Sequence, residues 1–182
     1  YRRSAQRMID RYGDMPEASC DVVRNSLLLP KAGFQLTNLP MDLLRQHRKK
    51  GRELEQGEAW NHVGFALASY RQGELQTAID AAEDGITASD ETWSGLLDVC
   101  RAINHAIKSL ALIEQGNLAE STRQLEEATR LVKLRAKYND EKFLRGNSSL
   151  GRDYLIADLL IHEARKKIAG LPRGGQNSSD AL

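Results

Sequence analysis

The sequence contains few cysteines and no long apolar run. Its two cysteines, Cys20 and Cys100, lie far apart and form neither a CxxC pair nor a zinc-ligand spacing. This pattern argues against a disulfide framework and favours buried thiols in a reducing cytoplasm. No apolar run approaches the ~20 residues that a transmembrane helix needs. Lys and Arg together number 26 and Asp and Glu 25, so the charges nearly cancel and no strong overall field attracts the chain to nucleic acid or to an anionic membrane.

Strand signals are also scarce, and this scarcity predicts the fold class. Aromatic residues make up 5% of the chain, and β-branched and aromatic residues never alternate with polar ones over the length of a strand. The 182 residues, of which 41% are hydrophobic, suffice for one domain that buries roughly 70% of its unfolded surface. We therefore predict a single all-α domain over residues 1–170, followed by a polar, Gly-rich and flexible tail over residues 171–182.

Apolar periodicity and the Gly and Pro breakers divide the chain into helices. The predicted helices span residues 3–12, 14–29, 39–52, 58–70, 75–86, 93–114, 118–138 and 152–169. We group them as N-terminal helices over 1–54, a first hairpin over 56–88, a second hairpin over 93–138 and a capping helix over 152–169.

The two hairpins form an internal repeat. When the sequence is aligned on itself with Gly73 opposite Gly116, an offset of 43 residues, both segments carry Gln-Gly-x-Leu at the turn. Ala78, Ala82 and Gly85 follow the first turn on one helix face. Leucine would bury more apolar surface at these positions. The small residues therefore predict that a neighbouring helix backbone comes close.

The first unit, WNHVGFALASYRQGELQTAIDAAEDGI, resembles a tetratricopeptide repeat. Its Trp60-x2-Val63-Gly64-x2-Leu67 start and the turn at Gly73 match the packing positions of that motif, although the first helix is two residues longer than a ~34-residue unit allows. The resemblance implies antiparallel helical hairpins stacked in a short right-handed array with N-terminal and C-terminal capping helices. The last helix fits a cap because one face is apolar. That face comprises Leu155, Ile156, Leu159, Leu160, Ala164 and Ile168.

Three blocks, YRR…MIDRYGD…VVRNSLLLP, W…GFALASYRQGEL…AI and LGRDYLIADLLIHEARKKI, occur in this order. Together they resemble the C-terminal tetratricopeptide-like region of planctomycete multidomain proteins, notably Ser/Thr protein kinases. The chain departs from that family at Arg24-Asn25-Ser26, where the family has Lys-Ala-Cys, and at Arg152-Asp153-Tyr154, where it has an aromatic residue, Asp and Trp. The resemblance implies an accessory protein-interaction region of a bacterial signalling protein. Because the chain begins at Tyr1, we expect a longer parent, whose upstream part could carry a catalytic domain or a membrane anchor.

Short motifs that resemble catalytic or metal sites are incomplete. The Gly-rich loop, paired lysine, HRD and DFG motifs of protein kinases are absent. The stretch GNSSLGRD over residues 146–153 departs from the phosphate loop at its lysine and hydroxyl positions, and HEARK has Lys166 where a zinc protease has its second histidine. The basic run over residues 45–52 suits a helix C-terminus. We therefore predict no enzymatic activity, cofactor, metal or nucleic-acid binding for this chain.

The repeat geometry predicts where a partner binds, because the first helix of each stacked hairpin lines the concave surface. The non-core positions of these helices are Glu58, Asn61, Phe65 and Ser69 in the first unit and Arg101, Asn104, Lys108 and Leu112 in the second. Asn61 and Asn104 coincide in the repeat and could hold a peptide backbone. Arg101 or Lys108 could bind an acidic group, and Phe65 an apolar side chain. Alternatively, Phe65 packs against the N-terminal helices and the asparagines are solvated.

Together these patterns favour a non-catalytic protein-interaction or scaffolding region in the cytoplasm, whose protein or peptide partner could be intramolecular. The alternative is a small-ligand-binding or enzymatic helical domain that uses a pocket between the N-terminal helices and the repeat. An open polar groove would favour the first function, and a closed cavity with convergent titratable groups the second. Self-association through the hairpin faces is a third hypothesis.

Overall fold

The computed structural model describes residues 2–12, 24, 26–28, 41–50, 55–90, 97–138 and 148–171. These residues form seven α-helices and no β-strand, which confirms the all-α fold class for the described part of the chain. The helices are α1 Arg2–Tyr12, α2 Met41–Lys50, α3 Glu55–Gln72, α4 Leu75–Asp90, α5 Leu97–Glu114, α6 Leu118–Tyr138 and α7 Ser148–Ala169.

Several predicted features lie partly outside the described residues. Of the helix predicted over 14–29, Arg24 and Ser26 are described and are helical. The predicted thiol at Cys20 and the tail residues 172–182 lie outside the described part. Leu171, which we assigned to the tail, is half-buried and packs against the core. The described chain therefore contacts the core up to this residue.

Two tight turns of the same geometry join α3 to α4 and α5 to α6. Gly73 has a φ of 83° and Gly116 a φ of 79°, a left-handed conformation that glycine adopts without a Cβ clash. Each glycine amide donates to the carbonyl three residues earlier, Tyr70 or Ile113, at 3.0 Å, and the next amide donates five residues back. This Schellman motif satisfies carbonyls that a helix end leaves open. The two Gln-Gly-x-Leu segments therefore form equivalent turns, as the internal repeat predicts.

Helix α5 lies at the centre of the molecule. It packs against α3, α4, α6 and α7, and most of its side chains are buried. Burial on nearly all sides of a helix is typical of an element surrounded by others. Ile103, Ile107 and Leu110 are among its fully buried side chains, and each such residue contributes roughly 1.5–3 kcal/mol of burial free energy. The hydrophobic core is therefore organised around α5.

The small residues of α4 lie where neighbouring helices come close. Ala78 and Ala82 are fully buried. An added Cβ at Gly85 would lie 2.4 Å from Nδ2 of Asn104 on α5 and 2.8 Å from Cβ of His62 on α3. Close-packed interiors have no room for such an atom. The predicted close approach of helices is therefore confirmed at Gly85.

Helix α7 differs from its prediction in start and in orientation. It begins at Ser148, so all but the first two residues of the stretch that resembles a phosphate loop are helical. Ile156, Leu160 and Ala164 are buried as predicted, but Leu155 is 57% exposed. Each residue turns a helix by about 100°, and the buried side of α7 is centred on Ile156 and Leu160. Leu155 therefore lies outside the core-facing side, which corrects the predicted apolar face.

Candidate functional site

A buried ion pair connects α3 to α7. Nη1 of Arg71, the penultimate residue of α3, lies 2.6 Å from Oε1 of Glu163, and Nη2 lies 2.7 Å from Oε2. Both side chains are less than one tenth exposed. Two parallel bonds between a guanidinium and a carboxylate fix both the distance and the orientation of the two groups. Since α5 packs against both helices, this pair joins α3 and α7 across the central helix.

The Arg71 guanidinium also binds the main chain of residues 27 and 28. Its Nε donates to the Leu27 carbonyl at 3.0 Å, and its Nη2 donates to the Leu28 carbonyl at 3.3 Å. The Leu27 side chain is 1% exposed and belongs to the core. Arg71 thus fixes the main chain at Leu27 and Leu28 through hydrogen bonds to their carbonyl oxygens.

Arg24 forms a second anchor for the same segment. Its Nη2 lies 3.6 Å from Oδ1 of Asp153 on α7, and its guanidinium carbon lies 4.3 Å from the centroid of the Trp60 ring on α3. Arg24 is 8% exposed, and a largely buried cation needs an opposite charge or an aromatic face to compensate for lost hydration. We call Arg24 and residues 26–28 the clamped segment. We call Trp60, Arg71, Asp153 and Glu163 the clamp face.

The helical spacing of the sequence brings the clamp-face residues to the same side of each helix. Asp153 lies three positions before the buried Ile156, and Glu163 lies three positions after the buried Leu160. The four side chains therefore share one side of α7. Trp60 and Arg71 are roughly three helical turns apart on α3. The two anchors therefore lie about 15 Å apart along both helices, and α3 and α7 run in the same direction.

Burial perturbs two ionisable groups near the clamp face. Tyr70 donates from its hydroxyl to Oε1 of Glu163 at 3.4 Å. Burial, followed by the charge of Glu163, raises the pKa of Tyr70 far above its usual value, which keeps the hydroxyl a neutral donor. Burial also raises the pKa of the Cys100 thiol, although the charge of Arg24 opposes the shift. A thiol with a raised pKa is a poor nucleophile near neutral pH.

A cleft of about 440 Å³ lies beside the clamp face, at the C-terminal ends of α3, α5 and α7. Tyr70, Arg71 and Glu163 line it together with Lys167 and Glu114, which form a further ion pair. The charged groups of the cleft are thus paired with one another.

Comparison with known proteins gives no match. No family model, no curated protein and no solved structure matches the chain. The clamp face is therefore interpreted from its own geometry.

A second polar network lies between α5 and α6. Nδ1 of His105 lies 2.6 Å from Oε1 of Gln124, and Nε2 of Gln124 donates to Oε1 of Glu120 at 2.7 Å. Because the amide oxygen of Gln124 can only accept, Nδ1 of His105 carries the proton. Burial lowers the pKa of His105, which favours the neutral ring. Ser109 and Ser121 share a hydrogen bond of 2.9 Å along the same interface. These bonds satisfy buried polar groups and align the two helices.

The residues predicted to line a partner-binding groove lie at different depths. Four are buried: Phe65, Ser69, Asn104 and Leu112. Three are half-buried: Asn61, Arg101 and Lys108. Buried side chains cannot meet an external ligand without rearrangement, so the predicted residues do not all form the expected open surface.

On α5, two of the predicted residues contact α4. Nζ of Lys108 lies 2.8 Å from Oε1 of Glu83, and the side chain of Asn104 lies against Gly85. The repeat alignment established which positions are equivalent but not which way they face, since a shift of one residue rotates the side chain by about 100°. The position of Asn104 therefore corrects the expectation that this residue lines the groove. Partner binding by Asn61, Arg101 and Lys108 stays a prediction.

The incomplete catalytic and metal motifs contain residues with structural contacts. In the HEARK stretch His162 is exposed, while Glu163 binds Arg71. In GNSSLGRD, Asp153 is the partner of Arg24. Within the described ranges, no group of three or more His, Cys, Asp or Glu side chains could hold a metal ion. Of the helices that the structure describes, none is both long and apolar enough to cross a membrane.

Sequence reasoning did not identify the clamp-face charges as a site. A signal for two of them exists, because Asp153 and Glu163 occupy positions on the buried side of α7. A carboxylate at such a position predicts a buried cationic partner. The partners Arg24 and Arg71 carry no comparable signal, since each lies far from its carboxylate in sequence.

Proposed function

We propose that this chain is a non-catalytic protein-interaction region that binds a short polypeptide segment on the clamp face. The observation that supports the proposal is the clamped segment. Arg71 binds its carbonyls, Leu27 is buried, and Arg24 lies between Asp153 and the Trp60 ring. Peptide-binding grooves combine main-chain hydrogen bonds, which give affinity, with side-chain pockets, which give specificity. The clamp face has both.

The proposal includes a right-handed, tetratricopeptide-like arrangement of the helices. In it α3 with α4 and α5 with α6 are successive hairpins, α7 is the capping helix, and α3, α5 and α7 line the concave side. The equivalent turns at Gly73 and Gly116 and the common direction of α3 and α7 support it. With the resemblance to planctomycete Ser/Thr kinases, it makes the chain a cytoplasmic accessory region of a bacterial kinase or related signalling protein.

Site-specific photo-crosslinking in the full chain tests the proposed function. A photoreactive phenylalanine analogue replaces Gln72, a half-buried residue of the cleft beside Arg71. In the matched control it replaces Arg123, which is exposed on α6. After irradiation in cells of the source bacterium, we expect a polypeptide adduct at position 72 that is absent at position 123 and is lost in Glu163→Gln.

The outcomes of this experiment distinguish a specific binding site from non-specific binding. Adducts of equal yield at both positions, or no adduct at position 72, contradict the proposal. Circular dichroism of each purified variant establishes that the helices are intact, so that a lost adduct reports the site rather than unfolding.

A further inference from the structure

We infer that the clamp face recognises a short segment with an arginine and, three residues later, a leucine, and that the clamped segment competes with a partner segment of this chemistry. This inference rests on the proposed function. It names the class of partner and the means by which access to the site is controlled.

The first recognition element is a site for a guanidinium group. Asp153 supplies a carboxylate, and the Trp60 ring supplies an aromatic face 4.3 Å from the guanidinium carbon of Arg24. A planar guanidinium can stack on the ring and bind the carboxylate at the same time, whereas a lysine ammonium is compact and more strongly hydrated. The geometry therefore favours arginine over lysine at this position.

The second recognition element is an apolar site beside a side-chain donor to main-chain carbonyls. The buried side chain of Leu27 follows Arg24 by three residues and comes directly after the helical residue Ser26. The Arg71 guanidinium donates to the carbonyls of Leu27 and Leu28. Those bonds do not depend on side-chain identity, so they set the register of a bound segment while the arginine and leucine sites select its sequence.

The part of the clamp face formed by Arg71 and Glu163 can keep its shape when the clamped segment leaves. Arg71 and Glu163 bind each other through two bonds, and the Tyr70 hydroxyl donates to the same carboxylate. None of these contacts involves the clamped segment. A preorganised site loses less conformational entropy when a partner binds, so replacement of one segment by another is favoured over collapse.

Competition within the chain makes the site selective. A tethered segment acts at an effective concentration of roughly millimolar order. A free peptide at micromolar concentration therefore binds weakly until the clamped segment is released. A partner succeeds when it binds more tightly or has a second contact elsewhere on the chain.

Fluorescence polarisation with the full chain tests this inference. The probe is a labelled peptide with the sequence of residues 22–30. We expect Arg24→Gln with Leu27→Ala in the protein to raise the affinity for this probe at least about tenfold, because the competing segment is weakened. Asp153→Asn should lower the affinity by about tenfold relative to that variant when added to it. Arg123→Gln, a substitution on the exposed side of α6, is the control and should match the parent.

Probe variants test the predicted chemistry. Replacing the arginine of the peptide by glutamine, or the leucine three residues later by alanine, should each lower affinity about tenfold. Replacing the arginine by lysine should lower affinity by a smaller factor. Equal binding of all peptides would overturn the assignment of an arginine and a leucine site.

Further outcomes overturn the competition. If the Arg24 and Leu27 substitutions leave probe affinity unchanged or lower it, the clamped segment is a permanent part of the fold. Loss of helical signal in that variant would also show that the clamped segment is a permanent part of the fold, because an exchangeable segment is not required for folding. The single variant Arg24→Lys, which keeps the charge, then shows whether weaker stacking alone increases probe binding. Absence of such an increase overturns the inference, while an adduct at position 72 would still support the proposed function.

Discussion

At Arg71, one side chain connects three parts of the chain. Its guanidinium binds Glu163 of α7 and the carbonyls of Leu27 and Leu28, while its own backbone belongs to α3. Five N–H donors in a fixed plane make this possible, and lysine could not reproduce the set. The residue therefore links the N-terminal segment, the first hairpin and the last helix.

His105 is a second residue whose chemistry depends on burial. Its ring binds Gln124, and burial lowers its pKa, with nearby Glu127 opposing the shift and Arg101 and Lys108 adding to it. An unfolded histidine has a pKa near about 6.5. Below this value the unfolded chain binds more protons than the folded chain. The free energy of unfolding therefore decreases as the pH is lowered, until the pH passes below the lowered pKa of the folded protein.

We expect His105→Gln to flatten this pH dependence. Urea unfolding at about pH 7.5, 6 and 5 should show the parent losing stability faster than the variant below about pH 6.5. His162→Gln, at an exposed histidine, should keep the slope of the parent. A slope that is the same with and without His105 would show that this ring does not couple protonation to folding.

At the scale of the elements, both hairpins depend on a left-handed glycine at the turn. The glycine amide and the following amide close the helix end at Gly73 and at Gly116. An added Cβ would meet no other atom within 4 Å at either position. The requirement for glycine is therefore one of backbone conformation and not of space.

Gly73→Ala should destabilise the protein by about 1 kcal/mol, the usual cost of placing an L-residue with a side chain in this conformation. Thermal unfolding should show a fall in Tm of about 2–4 °C. Gly170→Ala is the matched control, since its Cβ would lie in ordinary contact, 3.4 Å from the Lys166 carbonyl, and no left-handed strain arises. Equal losses in the two variants would contradict the account of the turn.

The elements show how far the sequence alone predicts the site. The turns at Gly73 and Gly116 and the small residue at Gly85 were predictable, because each depends on local backbone geometry or residue size. The clamp face was not, because Arg71 and Glu163 become neighbours only when α3 and α7 pack on α5. A carboxylate on the buried side of α7 indicates that some cation is near but not which one.

At the scale of the whole molecule, the core is organised around α5, and two buried ion pairs connect segments that lie around it. Arg71 of α3 pairs with Glu163 of α7, and Arg24 pairs with Asp153 of α7; both α3 and α7 contact α5. Removing one member of a buried pair leaves an uncompensated charge and costs far more than removing one member of a surface pair. Loss of one member of a buried pair should therefore lower the free energy of unfolding more than loss of one member of a surface pair.

Glu163→Gln should lower the free energy of unfolding by about 3 kcal/mol, because Arg71 stays buried without its carboxylate. Urea unfolding measures this loss. Glu127→Gln removes a carboxylate from a partly exposed pair with Arg130 and should cost about 0.5 kcal/mol. Losses of similar size in the two variants would show that the Arg71–Glu163 pair adds no more to stability than a surface pair does.

Periodicity, glycine and small residues determined the helical class, the two equivalent turns and the close approach at Gly85, because these properties depend on a few neighbouring residues. Tertiary structure alone decided which face each helix presents and which charges meet. Asn104 packs against α4 instead of lining a groove, and Arg24 reaches Asp153, because packing around α5 sets the rotation of each helix. A rotation of one residue, about 100°, separates a groove-lining side chain from a buried one, and no local pattern encodes that choice.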